Sequence, residues 1–512
     1  MKDKTTIFLG PPGTGKTTRL LKEIEDLFQR GVDPSRVAFL AFTRKAATEA
    51  KERAKKRFDY PDESYQWFRT IHSTAFKQIG GPGGRLMHRH NYKQVLDRMG
   101  MDFGGDDRDS EDESTWIHGS AGDALIFLDN LSRVTERSPI DVFEERISSR
   151  PTEDVRIDDL TEFSRLLREY KLSNALIDYT DALEQFLATG PPPVVDVLVV
   201  DEAQDLSRLQ WRVIEKIANR VKIVMVAGDD DQAIFRWAGA DVDHFLELQG
   251  DAKVLDESHR VPSSVHALAK KLLSRISRRR LKDFKPRDFA GEVSTCNDDV
   301  ELDASKGEWL MLARHGYQLR DLENLCRGSG WFYEKRGDWS NDTDTAKAIL
   351  AWENWRRGAS VKAAHAVLAL EAAGLPSDRV RTLPPEAFVD SPRVAELARP
   401  WTEILDLPPH EAEYVIQARR SGEIMARKSE TTGRLEPVKP RIRISTIHGA
   451  KGGEAEGVYL STGVSLSTYE SMQRSSDDET RVFYVGVTRS LNKLVIRTGD
   501  TLLNYPMTEE LT

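Results

Sequence analysis

The chain predicts an α/β protein built from two parallel-sheet cores, each split by a mainly helical insertion. Three observations carry that expectation. Short β-branched runs alternate with helical patterns in two separate regions, which is how parallel sheets with crossover helices read. Each region is interrupted by a long stretch with helical periodicity and no strand signal. A Gly-rich loop joins the first strand to the first helix. At 512 residues the chain is also too long for a single core.

The elements follow in order. Residues 1 to about 85 alternate strand and helix, with strands at Ile7–Leu9 and Val37–Ala41 and a short apolar piece near Phe68–Ile71. Gly80-Gly81-Pro82-Gly83-Gly84 then breaks the pattern. The stretch to about residue 190 is polar and helical, clearest at Thr161–Tyr170 and Asp178–Leu187, and its acidic segment Asp106 to Glu113 reads as an exposed, disorder-prone loop. Pro191-Pro192-Pro193 closes a loop, and Val194 to Val200, interrupted only by Asp196, reads as a central parallel strand. A strand at Ile223–Ala227 follows. The second region has a strand at Trp309–Ala313, a helix at Leu319–Arg327, and further strands at Arg441–Ser445, Gly457–Leu460 and Leu494–Arg497. Residues 336 to 437 read as mainly helical. The expected division is therefore 1–85 with 191–262 as the first core, 86–190 as its insertion, 263–335 with 438–512 as the second core, and 336–437 as its insertion.

Composition narrows the class. A hydrophobic fraction of 39% beside 31% charged residues is ordinary for a soluble protein. No apolar run approaches the ~20 residues of a membrane-spanning helix, and the opening strand leaves no room for a signal peptide. Cytoplasm is the expected compartment, with no membrane partner. Cys296 and Cys326 alone exclude a disulfide framework or a cysteine-based metal site. The net charge of −9 does not exclude a nucleic-acid partner, because such binding needs only a local basic groove.

The first motif is Gly10-Pro11-Pro12-Gly13-Thr14-Gly15-Lys16-Thr17, which satisfies G-x-x-x-x-G-K-[ST] between a strand and a helix read at Leu20-Leu21 and the charged residues after it, and with Thr18 it is the expected ATP-binding loop. Backbone N–H groups freed by the glycines cradle phosphates at a helix N-terminus. Lys16 is placed for the β/γ-phosphates and the Thr17 hydroxyl for Mg²⁺. The second motif, Asp201-Glu202-Ala203-Gln204-Asp205, ends a buried strand. Asp201 is placed to hold Mg²⁺, and Glu202 to orient or deprotonate an attacking water. Together they predict a P-loop hydrolase that uses ATP and Mg²⁺.

A motor is predicted by Gly228-Asp229-Asp230-Asp231-Gln232-Ala233-Ile234-Phe235-Arg236-Trp237. Gln232 can sense the γ-phosphate. Phe235 and Trp237 follow closely enough to couple it to bases, whose stacking on aromatic rings contributes ~1–3 kcal/mol each. Arg260, in Ser258-His259-Arg260-Val261-Pro262, and Arg489, in Tyr484-Val485-Gly486-Val487-Thr488-Arg489, each follow an apolar segment of the second half. That predicts arginine fingers facing the nucleotide across the cleft between cores.

With these motifs the chain resembles the UvrD/Rep family of superfamily 1 DNA helicases. The likeness extends to Ala41-Phe42-Thr43-Arg44-Lys45-Ala46-Ala47, to Thr70-Ile71-His72-Ser73, and to Leu176-Ile177-Asp178-Tyr179-Thr180-Asp181. It also covers Ser445-Thr446-Ile447-His448-Gly449-Ala450-Lys451-Gly452-Gly453-Glu454 and Glu479 to Arg489. The resemblance implies two RecA-like P-loop cores with ATP between them and single-stranded DNA across their top. By motif position it assigns Gln232, Arg260 and Arg489 to the γ-phosphate, Glu454 to the ribose and His259 to the base. Phe42, Thr43, Arg44, His72, Phe235, Arg236, Trp237 and His448 are assigned to DNA.

It implies an ATP-dependent 3′→5′ DNA helicase, advancing about one base per ATP, on single-stranded and tailed duplex DNA, working as a monomer or a higher oligomer with replication or repair proteins as partners. The alternatives are a translocase that displaces proteins from single strands and the motor subunit of a helicase–nuclease. A non-catalytic DNA-binding scaffold is opposed by the complete set of catalytic residue types.

The departures from the family pattern carry expectations of their own. His259 stands where the family commonly has Tyr, and only nine residues precede Gly10 where members carry an upstream glutamine motif, which together predict relaxed base selection. Ala238 stands for an Arg and Arg236 for a Gly, which predicts retuned coupling of DNA to ATP. The short second insertion predicts reduced processivity.

Overall fold

The computed structural model describes residues 4–81, 83, 85–104, 120–149, 155–296, 302–498 and 502–507. The acidic segment Asp106 to Glu113 lies outside the described residues. The chain divides into two compact units, Met1–Ala290 with Leu466–Thr488, and Gly291–Ser465 with Arg489–Thr512. The helix Ser263–Leu273, the segment after it and the helix Asp477–Val487 thus sit with the first sheet, whereas the sequence reading grouped them with the second.

The first unit carries a six-stranded sheet of β1 (Thr5–Leu9), β2 (Val37–Ala41), β3 (Phe68–Thr70), β4 (Val197–Val200), β5 (Ile223–Gly228) and β6 (Asp251–Val254). The spatial order is β3-β2-β4-β5-β1-β6, and every pairing is parallel. Alternation along each strand feeds two layers. Ile7, Leu9, Ala38, Leu40, Leu198, Val200, Val224 and Val226 pack with Trp211 and Ile214 of the helix Arg208–Ala218. Phe8, Val37, Phe39, Ala41, Val197, Val199 and Met225 pack with Leu20 and Ile24 of the helix Lys16–Gln29 and with Ala47, Ala50 and Ala54 of the helix Arg44–Arg57. Both faces are covered, which explains the unbroken apolar run in β4. That strand starts three residues later than the sequence suggests: Val195 N–H donates to Pro193 O at 3.0 Å in a local turn, and Asp196 pairs with Arg36. The edge strand β6 escaped the sequence reading: its residues are all exposed, so no apolar signal marks it.

The insertion of this unit is a helical body with its own core, including Val95, Leu96, Leu125, Leu128, Leu160, Phe163 and Leu167. Its helix Ala121–Thr135 carries Arg133, whose guanidinium lies 2.7 Å from Asp178, 2.6 Å from Asp181 and 3.0 Å from Glu184. Lys171 reaches Asp178 and Asp181, each at 2.8 Å. This network ties the insertion to the helix Tyr179–Ala188, which leads back into the sheet.

The second unit carries a seven-stranded sheet of β7 (Glu292–Cys296), β8 (Trp309–Ala313), β9 (Tyr333–Lys335), β10 (Asp338–Trp339), β15 (Ile442–Thr446), β16 (Ala455–Ser461) and β17 (Ser490–Arg497). Between these come the two-stranded pairs β11 (Val361–Lys362) with β12 (Phe388–Val389) and β13 (Ala426–Lys428) with β14 (Leu435–Pro437). The sheet order is β10-β9-β15-β8-β16-β17-β7, parallel except for the β9–β10 hairpin. The expectation of mainly helical structure over 336–437 overlooks these strands of two or three residues, which are too short for a period to register. Trp352, Trp355 and Tyr414 of this region share one core with Trp309, Met311 and Ile444 of the sheet, so the second insertion is an extension of its core. Both units are thus helix-flanked parallel sheets, the α/β class expected.

Arg133→Ala should leave Asp178 and Asp181 with Lys171 as their shared cation and Glu184 without Arg133, and destabilise the first unit by about 3 kcal/mol, measured as a shift of the denaturant midpoint. A shift within error would mean that water compensates these acids.

Candidate functional site

Five motifs of the first unit leave the carboxyl ends of parallel strands, the place where open α/β sheets bind ligands. The phosphate loop follows β1, Phe42 and Thr43 follow β2, His72 follows β3, Asp201 follows β4 and Asp229 follows β5. Gly10 N–H donates to Gly228 O at 3.0 Å, which pins the loop between β1 and β5.

The loop's glycines are required by space and conformation. A Cβ at Gly10 would meet Lys16 Cγ at 2.1 Å, and one at Gly13, whose φ is +73°, would meet Arg260 Cβ at 2.3 Å. Lys16 Nζ donates to Gly10 O at 3.1 Å and lies 3.5 Å from Glu202 Oε1. Thr17 Oγ1 donates to Asp201 Oδ2 at 2.7 Å. Burial, with the neighbouring Glu202 charge, pushes the Asp201 carboxyl up to about 6, opposed by the Thr17 hydrogen bond and by Lys16. Two hard oxygens at the end of a phosphate loop, one on a carboxylate that resists ionising alone, are donors suited to a divalent cation carrying phosphates. Among the described residues no group of three or more His, Cys, Asp or Glu could hold a metal ion.

Glu202 adopts φ 52°, in the left-handed region, a conformation that non-glycine residues keep only where their surroundings enforce it. Its carboxylate accepts from Gln204 Nε2 at 2.7 Å. Gln204 Oε1 accepts from Asp229 N–H at 3.0 Å, and Asp229 Oδ2 accepts from Gln232 Nε2 at 2.7 Å. A continuous polar chain therefore runs Lys16–Glu202–Gln204–Asp229–Gln232. Gln204 and Asp229 had no role in the sequence reading. The signal was present: a side-chain amide and an acid at the ends of buried strands need partners.

Arg260 belongs to the first unit, in contrast to the sequence expectation of a finger from across a cleft. Ser258 Oγ donates to Pro12 O at 2.7 Å and His259 N–H to Gly13 O at 2.9 Å, so this segment lies directly on the phosphate loop while the His259 side chain is exposed.

The candidate DNA aromatics form a run of neighbouring rings. Phe42 and Phe235 have centroids 5.9 Å apart, Phe235 and Trp237 6.5 Å, and Trp237 and Phe127 of the insertion 6.2 Å and stacked. Arg146 lies over Phe127 at 5.4 Å and donates to Trp237 O. Phe127 was not legible in sequence, because only the tertiary packing brings it to Trp237. Arg236 is held by Asp243 at 3.0 Å and Asp478 at 3.4 Å. Thr43 is exposed and its Oγ1 caps the following helix by accepting from Ala46 N–H. Arg44 donates to Tyr179 OH at 3.3 Å, and His72 packs edge-on against Tyr179 at 6.0 Å. Burial lowers the His72 imidazole to about 4, against the pull of Asp178, so it is neutral at pH 7.

In the second unit, His448 is buried in the turn after β15 and Glu454 is exposed before β16. Arg489 is buried, and its Nη1 donates to Gly453 O at 3.2 Å, beside Glu454. No helix among the described residues is long and apolar enough to cross a membrane.

A family model described as the UvrD/REP helicase N-terminal domain matches residues 2–253, and one described as the UvrD-like helicase C-terminal domain matches residues 394–500. The ATP-dependent DNA helicase PcrA of Bacillus subtilis is 24% identical over 342 residues, 62% of this chain and 43% of that protein. The probable DNA helicase II homolog of Mycoplasma capricolum is 23% identical over 372 residues, 66% of this chain and 49% of that protein. The chain thus spans less than half the length of these curated relatives. A solved complex of an arterivirus nonstructural protein 10 (helicase) with DNA aligns with 98% of this chain and 62% of that one, at 11% identity and a TM-score of 0.35, too low to support an argument.

The Asp201 carboxyl, at about 6 against an ordinary 3.8, is less stable charged in the fold than in the unfolded chain. Its effect on stability is therefore most favourable below its unfolded value and is lost as pH rises through about 6. In metal-free buffer Asp201→Asn should raise unfolding free energy at pH 7.5 by on the order of 1–3 kcal/mol, with roughly half that gain at pH 5. Melts at both pH values test this, and an equal change at each would assign the effect to packing.

Proposed function

The chain belongs to the UvrD/Rep helicase family, and on that premise we propose that it is an ATP-dependent DNA helicase translocating 3′→5′ on single-stranded DNA. The observation that carries the proposal is the chain from Lys16 through Glu202, Gln204 and Asp229 to Gln232. Three residues after Gln232 the same loop presents Phe235, at the centre of the aromatic run. In this reading a change at the phosphates passes along that hydrogen-bonded chain and through the short loop 232–235 to rings suited to stacking bases.

In this reading residues 10–18 hold the triphosphate, with Lys16 on the β/γ-phosphates and Thr17 and Asp201 holding Mg²⁺, which supplies charge neutralisation at the transferring group. Glu202 orients the attacking water. Gln232 and Arg260, from the unit that bears the phosphate loop, are assigned to the γ-phosphate. Arg489 joins them and Glu454 takes the ribose by motif position, while His259 faces the base. Phe42, Phe235 and Trp237 stack bases, and Thr43, Arg44, His72, Arg236 and His448 contact the strand. The polarity is supported by Ile447-His448-Gly449-Ala450-Lys451-Gly452, which carries Lys451 where the 5′→3′ branch usually has Gln.

Unwinding of short duplexes bearing a 3′ or a 5′ single-stranded tail, with ATP and Mg²⁺, tests the reading. Opening of the 3′-tailed substrate alone is expected, and Lys16→Ala should abolish it together with ATP hydrolysis. Opening of only the 5′-tailed substrate would reverse the polarity. Single-strand-stimulated hydrolysis without opening would favour a translocase. Trp237→Ala should lower DNA-stimulated hydrolysis about tenfold, as expected for losing one base stack, and basal hydrolysis much less. An equal loss of both would make Trp237 a packing residue.

A further inference from the structure

One buried charge cluster of the first unit extends beyond the roles above, which use only its Asp229. Asp229, Asp230 and Asp231 are consecutive and each fully buried at the end of β5. Three carboxylates out of water require cations or donors. Lys282, whose side chain is 1% exposed, places Nζ 3.0 Å from Asp229 Oδ1, 2.6 Å from Asp230 Oδ1 and 2.8 Å from Asp231 Oδ2. Arg279 adds a forked pair to Asp231 at 2.7 and 2.6 Å. The Arg280 N–H donates to Asp230 Oδ2 at 2.9 Å, and Arg481 Nε donates to Asp230 O at 2.9 Å. Burial opposes the charge on Lys282, but the three carboxylates raise its pKa, so it stays an ammonium.

The arrangement at Asp229 is the informative part. Oδ1 faces Lys282 at 3.0 Å and accepts from the Asp231 N–H at 3.2 Å, while Oδ2 accepts from the Gln232 side-chain amide at 2.7 Å. We propose that Lys282 is a positioning residue for Gln232: it holds the Asp229 carboxylate in the orientation that aims the Gln232 amide, and so sets how strongly the site distinguishes a nucleoside triphosphate from a diphosphate. The inference deepens the function proposed above and rests on it. Lys282 touches neither nucleotide nor DNA in this account; it acts through Asp229.

A purely structural staple would need Lys282 equally for every ligand. A positioning role predicts a split instead, because only the γ-phosphate meets Gln232. The full chain with Lys282→Met tests this by titration with ADP and with ATPγS and by ATP turnover. ADP affinity should stay within about twofold of the unsubstituted chain, while the preference for ATPγS over ADP and kcat each fall about tenfold, the usual effect of losing an outer-shell partner. Because Lys282→Met leaves a carboxylate uncompensated, the double variant Lys282→Met/Asp230→Asn restores the charge balance without touching Asp229 and should show the same split. Wild-type preference and kcat in a folded variant would overturn the proposal, as would parallel loss of ADP and ATPγS binding. Failure of both variants to fold would likewise overturn it, making Lys282 a structural staple. Absence of ATP hydrolysis in the unsubstituted chain would instead remove the functional reading itself, and this inference with it.

Discussion

Asp201, Asp229, Asp230 and Asp231 are buried at the carboxyl ends of two neighbouring strands, β4 and β5, and much of the first unit is arranged to keep them compensated. Unpaired, such charges would cost several kcal/mol each. Asp201 is relieved only partly, by Thr17 and Lys16, and keeps a raised pKa. The three acids after β5 are met by Lys282 and Arg279, while Arg481, from a later segment, donates to the Asp230 backbone carbonyl. Of the four, Asp201 is the one beside the phosphate loop, where the function proposed here has a divalent ion supply further charge.

That same compensation explains why residues 274–290 and the helix Asp477–Val487 belong to the first unit. Both segments deliver their cations to the loop that carries Gln232, and Asp477 further accepts from Ser277 Oγ at 2.7 Å. The chain then passes from Thr488 into the second unit at Arg489, two residues beyond the anchored helix. A motif that is continuous in sequence is thus divided between units, with Arg481 on one side of the boundary and Arg489 on the other.

The aromatic run illustrates a different kind of constraint. Phe42, Phe235, Trp237 and Phe127 come from the ends of β2 and β5 and from the insertion, and none is fully buried. Ring-to-ring spacings of about 6 Å suit apolar packing among themselves. All four rings are only partly buried, which is compatible with the base-stacking role proposed for Phe42, Phe235 and Trp237.

Much of the fold and the site was legible in the sequence where one short segment contains the whole signal. The phosphate loop needs glycines at fixed spacing, a strand buried on both faces needs a β-branched run, and Asp201 and Glu202 follow such a strand directly. Edge strands β6 and β7 were missed because the residues of β6 are all exposed and β7 buries only Cys296, so neither carries an apolar pattern. Lys282, Asp229 as its partner, Phe127 beside Trp237 and the approach of Arg260 to Gly13 within one unit were decided by tertiary structure alone. Each depends on a distance between residues far apart in the chain. A residue's type and local period say what it can bond, but only the folded path says which group stands within reach.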